Sequence, residues 1–171
     1  DRAVTDNLDI SANLSYNDTE IDDPNLRDDL CGSPPTWTGL EPIACTRAGP
    51  FGPVTVDFID GNPLPRTPEW IDNFTLEYTY PLQNGELYFW TDWNYRDKSN
   101  LFLHRSIEFV QEERVLGGVR LGYATDSGMD FAIIGRNITD EVTVDGALNF
   151  LNLTAFVNEP SFWGVEFNYR F

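Results

Sequence analysis

The sequence predicts an all-β protein, an antiparallel up-and-down sheet of about six strands that forms a segment of a larger transmembrane β-barrel. Three observations predict it. Apolar and polar residues alternate with a period of two in stretch after stretch, so each strand has one greasy and one wet face. The connections alternate between long and tight, as in a meander whose tight turns all fall at one end. Aromatic residues form two bands on the greasy face, one toward each end.

The first strand is Leu8–Tyr16, with Leu8, Ile10, Ala12, Leu14 and Tyr16 against Asp9, Ser11, Asn13 and Ser15. A long connection over about 18–68 follows, rich in proline and aspartate. A connection of that length inside a compact domain marks a functional loop. The second strand runs from Trp70 to Leu82, with Phe74, Leu76, Tyr78 and Tyr80 on its greasy face and Asp72 as the one interruption. Gln83-Asn84-Gly85-Glu86 is a hairpin signal. The third strand sets Leu87, Phe89, Thr91, Trp93 and Tyr95 against Tyr88, Trp90, Asp92, Asn94 and Arg96.

A connection over 97–113, read as polar and holding the only histidine, His104, leads to a fourth strand. There Val115, Val119, Leu121 and Tyr123 oppose Gly118, Arg120, Gly122 and Ala124. After the turn Asp126-Ser127-Gly128, the fifth strand spans about 129–138 and has the least regular pattern, because Ile134 falls on its wet side. A loop over 139–160 precedes the last strand, 161–171, where Trp163, Val165, Phe167, Tyr169 and Phe171 share the greasy face. That length suits a tilted barrel strand, which needs about 9–11 residues to cross a bilayer.

In this topology Tyr16, Trp70, Trp93, Tyr95 and Trp163 lie toward the long-loop end, and Tyr80, Tyr123, Tyr169 and Phe171 toward the tight-turn end. These are the two rows of a lipid-facing aromatic girdle. The opposite parity directs Glu77, Asp92, Arg96, Arg120, Arg136, Glu166 and Arg170 to the lumen. Cross-strand ion pairing on a wet wall accounts for these charges more simply than a substrate path does. Single-chain barrels begin at about eight strands, so a sheet of six is expected to be completed by strands outside this chain. The start Asp1-Arg2-Ala3-Val4, without initiator methionine or signal peptide, agrees with a piece of something longer.

A net charge of -17 in 171 residues excludes nucleic acid as a partner, since phosphate binding requires clustered lysine and arginine. Cys31 and Cys45 lie in a polar stretch without metal-type neighbours. In an oxidising compartment they are expected to pair and close a short ring worth about 3 kcal/mol. The carboxylates Asp22, Asp23, Asp28 and Asp29 lack the spacing and glycine of a calcium loop and read as a solvated acidic segment. His104 with Glu108 offers too few ligands for a metal. Trp37 and Trp90 have the chemistry to stack on sugar rings. The Asn-X-Ser/Thr sequons at Asn13, Asn17, Asn73, Asn137 and Asn152 read as by-products of an Asn/Thr-rich wet face. No nucleophile-elbow pattern surrounds any serine, and Gly117-Gly118 is a strand feature. Neither an enzyme nor a cofactor is expected.

Several segments carry a family resemblance. Asp60-Gly61-Asn62-Pro63-Leu64-Pro65-Arg66-Thr67-Pro68-Glu69-Trp70 resembles the lead into a late barrel strand of TonB-dependent outer-membrane receptors. Tyr95-Arg96-Asp97-Lys98 resembles the end of the strand after it. Gly135-Arg136-Asn137-Ile138-Thr139-Asp140-Glu141 resembles their Arg-Asn-Leu-Thr-Asp motif. Phe162-Trp163-Gly164-Val165-Glu166 with Tyr169-Arg170-Phe171 resembles their last strand. The order matches from about Leu8 to the end.

The resemblance implies that 1–171 is the C-terminal portion of a barrel of about 22 strands with a plugged lumen. It implies uptake across the bacterial outer membrane of a scarce nutrient, of the ferric siderophore, cobalamin or glycan class. Energy would come through TonB acting on a plug outside this chain. The long loops would be extracellular and the C-terminus periplasmic. The remaining implied partners are outer-membrane lipid and the barrel-assembly machinery, which would read Phe171 as its signal. Two alternatives stay open: a soluble extracellular β-sandwich that binds carbohydrate, and a passive porin. The substrate itself is not legible. An acidic mouth disfavours anionic solutes, although salt screens exposed charge beyond about 8 Å.

Overall fold

In the computed structural model, which describes residues 2–28, 46–49, 52–55, 57–105, 109–149 and 153–171, the alternating segments pair into a seven-stranded antiparallel sheet. Its strands are β1 (Arg2–Thr5), β2 (Leu8–Tyr16), β3 (Trp70–Leu82), β4 (Gly85–Arg96), β5 (Arg114–Thr125), β6 (Met129–Arg136) and β7 (Phe162–Tyr169). Each is hydrogen-bonded to its neighbour in the chain, so the sheet is a meander. β1 is one strand more than the sequence predicts. It turns at Asp6 and Asn7 and pairs as Arg2 with Ile10 and Ala3 with Asp9. Four residues are too few for alternation to register against chance.

The boundaries also differ from expectation at two places. β6 ends at Arg136, not near residue 138, because Asn137 and Asp140 take left-handed backbone at φ 45° and 54°. β7 stops at Tyr169, and beyond it the Arg170 amide still reaches the Gly128 carbonyl at 2.9 Å.

The tight turns share one edge and are joined by backbone bonds to the neighbouring strand or turn. The Thr79 amide donates to the Asn7 carbonyl at 2.9 Å, and the Asp126 amide to the Asn84 carbonyl at 3.2 Å. Gly128 sits at φ 91°, where a Cβ would stand 2.4 Å from the Arg170 carbonyl oxygen. Only glycine meets both demands without displacing the chain end.

At the opposite edge the connections carry two-stranded ribbons of their own. Arg27–Asp28 pairs with Asp57–Phe58, and Thr46–Gly49 with Gly52–Thr55. Ser99–Asn100 pairs with Val110–Gln111, and Val144–Asn149 with Leu153–Val157. The connection read as polar holds apolar anchors: Leu101 and Phe109 are buried with Ala147, and Phe102 and Val144 pack against them. Full burial is concentrated here, with Ile59, His104, Gln111 and Pro68 the largest fully enclosed side chains.

The sheet itself stays open on its apolar face. Leu14 is 67% exposed, Phe131 49%, Trp163 59% and Val165 84%. Thr91, the polar member of the β4 apolar set, is buried and donates to the Gly118 carbonyl at 2.8 Å.

Two tryptophans on the apolar face lie across glycines of the next strand. Trp93 is directly opposite Gly117, and Trp163 opposite Gly135. A Cβ on Gly117 would approach the Trp93 ring to 2.7 Å. The indole therefore covers the strand backbone that glycine leaves bare, the cross-strand packing that offsets the weak strand propensity of glycine. Gly117→Val is expected to destabilise the folded sheet by about 1–3 kcal/mol through overpacking. Trp93→Ala in the same chain should recover part of that loss. Urea unfolding of the detergent-solubilised protein measures both, and additive losses would contradict the packing.

Candidate functional site

The polar face of the sheet gathers the charged residues singled out by alternation. Register places Glu77 opposite Trp90, Asp92 opposite Gly118, Arg96 opposite Arg114, Arg120 opposite Trp90 and Ile134, Arg136 opposite Phe162, and Glu166 opposite Ala132. All of these positions share the parity of one face. Arg170 follows β7 and borders the same face beside Tyr88 and Asp130.

Arg120 is the hub. Its Nη1 bonds to Glu166 Oε2 on β7, its Nε donates to the Tyr88 hydroxyl on β4 at 3.1 Å, and its Nη2 lies 3.4 Å from Asp130 Oδ2 on β6. Tyr88 in turn donates to Asp130 Oδ1 at 2.7 Å, and the guanidinium carbon stands 5.6 Å from the Tyr88 ring centre. One arginine thus ties four consecutive strands together.

Tyr88 has room because it lies over Gly122, where a Cβ would meet its hydroxyl at 2.3 Å. A depression of about 510 Å³ adjoins this cluster, lined among others by Trp90, Asp92, Arg120, Arg136, Asn158 and Glu166. Tyr88 and Asp130 were not singled out in the sequence. Their polar parity was visible, but their contact with Arg120 depends on cross-strand register.

Arg136 faces Glu159 at 3.8 Å, with both side chains mostly in water. Next to it Asn137 is buried and its amide fully engaged. It donates to the carbonyls of Glu141 and Glu159, both at 2.9 Å, and accepts from the Thr139 hydroxyl at 3.0 Å and the Glu141 amide at 3.2 Å. Asn158 works in parallel, donating to the Glu141 carbonyl at 2.9 Å and accepting from the Thr143 amide at 2.8 Å. The loop is further tied back to β5, with the Ile138 amide on the Gly117 carbonyl and the Thr139 hydroxyl on the Val115 carbonyl, both at 2.9 Å. These bonds account physically for the Asn-Ile-Thr-Asp run as a turn built around one buried amide. Asn137 thus has a structural task, as does Asn158, which the sequence reading did not single out.

The residues of the expected aromatic girdle occupy the other face. Tyr16, Trp70, Trp93, Tyr95 and Trp163 lie on strand segments next to the long connections, with the Tyr16 and Trp70 rings 4.7 Å apart. Tyr80, Tyr123 and Tyr169 lie toward the tight turns, and the Tyr169 and Phe171 rings are 6.0 Å apart. Asp72, the polar interruption on this face, stands opposite Tyr95 at the long-connection end.

His104 is buried among the long connections. It is 2% exposed, its ring stacks on Phe102 and meets Phe109 edge-on, and its Nδ1 lies 2.9 Å from Asp28 Oδ2. Asp28, read as part of a solvated acidic segment, instead turns inward to that ring and pins the first long connection to the second. Asp23 serves local backbone, with its Oδ1 accepting from the Asn25 amide at 2.9 Å. Cys31, Cys45, Trp37, Asp29, Glu108 and Asn152 lie outside the described residues.

Removing Arg120 leaves two carboxylates and a phenol without their shared donor. Arg120→Ala is therefore expected to destabilise more than Glu166→Ala. The coupling energy between the two should be about 1 kcal/mol or less, because both side chains remain partly in water. A double-mutant cycle by urea unfolding checks the order and the size.

No protein-family model and no curated protein sequence matches the chain. Two solved structures do. The siderophore receptor PiuA from Acinetobacter baumannii matches over 97% of this chain with a TM-score of 0.66 at 17% identity. The ferric yersiniabactin uptake receptor FyuA from Yersinia pestis matches over 68% with a TM-score of 0.59 at 16% identity. The aligned parts amount to 20% and 18% of those receptors, so the chain spans about a fifth of their length. At such identities the likeness speaks for the fold alone: the chain folds as an antiparallel β-barrel segment similar to parts of these two structures.

Proposed function

We propose that the chain is the C-terminal portion of an outer-membrane receptor that actively takes up a scarce nutrient, energised by TonB acting on a plug domain outside these residues. The observation that carries this reading is the exposed apolar face. It continues from β2 to β7, and the opposite face holds the Arg120 cluster. A contiguous apolar surface of that extent is unfavourable against water and favourable against lipid. Among the described residues no second sheet packs on it, which disfavours the carbohydrate-binding sandwich.

The aromatic rows near both ends of the strands support placement of the apolar face across a bilayer, with the tight turns periplasmic and the ribbon-bearing connections extracellular. Glu77, Asp92, Arg96, Arg120, Arg136, Glu166 and Arg170 then line the lumen. The two structural neighbours are siderophore receptors, which makes iron-loaded siderophores the first solutes to test, ahead of cobalamin and glycans.

Cells expressing the full-length protein are expected to accumulate radio-iron from one of a panel of ferric siderophores only when TonB is present. Uptake that persists without TonB would favour a passive porin. Phe171, fully exposed at the chain end, is proposed as the signal read by the barrel-assembly machinery. Its deletion should lower the amount of heat-modifiable protein in the outer membrane severalfold. An unchanged folded yield would reject that role.

A further inference from the structure

Arg96 and Arg114 stand directly opposite each other in the β4–β5 ladder, on the polar face at its long-connection end. Like charges in that position repel. Arg66 joins them: its carbonyl accepts from Arg96 Nη2 at 3.3 Å. Its backbone is held at φ 59°, with its amide on the Asn100 carbonyl at 2.7 Å. A non-glycine residue in that region persists only where its surroundings hold it. Arg114, Asp145 and Arg66 are the charges that act on Arg96.

Against three guanidiniums the described residues set one carboxylate. Asp145 Oδ1 accepts from Arg114 Nη1 and from Gln111 Nε2, the latter at 3.1 Å, and Arg114 Nη1 also donates to Thr143 Oγ1 at 3.1 Å. The Nε groups of Arg96 and Arg114 are buried and have no hydrogen-bond partner among the described residues. Arg66 and Arg96 have no ion pair there either. This happens in a chain with 28 acidic and 11 basic residues, where carboxylates are plentiful. A purely structural cluster had ample acid available to neutralise it.

We propose that Arg66, Arg96 and Arg114 form a binding site for an oxyanion, a solute carrying carboxylate or phosphate groups. Guanidinium forks match such groups bidentately, and buried N–H donors gain most from an anionic acceptor. Gly146, on the ribbon strand that carries Asp145, leaves open the space next to Arg66, whose Nη2 would lie 3.8 Å from a Cβ there. The site deepens the transport reading by giving its solute a charge class. It rests on that reading for the assignment of this face to the lumen.

The test uses full-length protein in uncharged detergent, titrated calorimetrically with citrate and with pyrophosphate, and with glycerol as the neutral control. Both anions should bind and glycerol should not, and binding should weaken as salt is raised. Arg96→Gln should weaken anion binding about tenfold or more, and Arg96→Lys should restore it only in part because the fork is lost. Lys98→Gln, a loop cation outside the cluster, should leave it unchanged.

Heat-modifiable gel mobility reports whether each variant is folded. If Arg96→Gln does not fold, Arg66→Gln, at an exposed position, takes its place. Absence of anion binding, or equal binding in wild type and in both glutamine variants, overturns the site. Anion binding without TonB-dependent uptake keeps the site and removes the transport reading. Uptake without anion binding does the reverse.

Discussion

The ladder between β4 and β5 runs unbroken from Arg96 opposite Arg114 to Gly85 opposite Thr125, and most of the placements that matter follow from that register. It lays Trp93 over Gly117, brings Arg120 into the row of Tyr88 and Trp90, and sets two arginines against each other at the far end. Because side chains alternate with a period of two, a slip of one residue would exchange the faces. Arg120 would then point into the apolar side, at a cost of about 2–4 kcal/mol near a bilayer midplane. The alternative registers are thus penalised by both faces at once, and tryptophan-on-glycine packing adds a steric preference for the observed one.

The two edges of the sheet are built differently. At the tight-turn edge, backbone bonds link the turns to their neighbours and end on the amide of Arg170, a contact that needs glycine at 128. At the other edge, short ribbons, the Asn137 and Asn158 amides and the His104–Asp28 contact knit the long connections into a structure with its own small core. An edge that stands in water needs such a core of its own, because no lipid would pack against it there. The strands need none on their apolar side if lipid provides it. Burial at one end and exposure along the sheet are two answers to the same demand.

Net charge describes this molecule poorly. The chain is strongly acidic, yet its polar face holds Arg120 between two carboxylates and, at one end, Arg96 opposite Arg114, with Asp145 paired to Arg114 and Arg66 bonded through its carbonyl to Arg96. Electrostatic interactions in partly buried sites act over a few ångströms and are screened less than those on the surface. The character of the face is therefore decided by which side chains meet.

Alternation and glycine-bearing turns are local properties of the chain, so six of the seven sheet strands, their tight turns and the two faces of those strands are legible in the sequence. Leu8–Tyr16 and Trp70–Leu82 were read to the residue. The sequence did not disclose β1, which is too short to show a period, or the ribbons and apolar anchors Leu101 and Phe109, whose segment looks polar on average. It assigned Arg120 and Glu166 to one face without joining them, for they lie 46 residues apart and meet only through the intervening strand β6. His104 with Asp28, and Arg66 with Arg96 and Arg114, were likewise decided by tertiary structure alone. Parity fixes which side a residue faces, whereas its neighbours depend on register across strands and on the folding of the long connections, and neither is written in any local pattern.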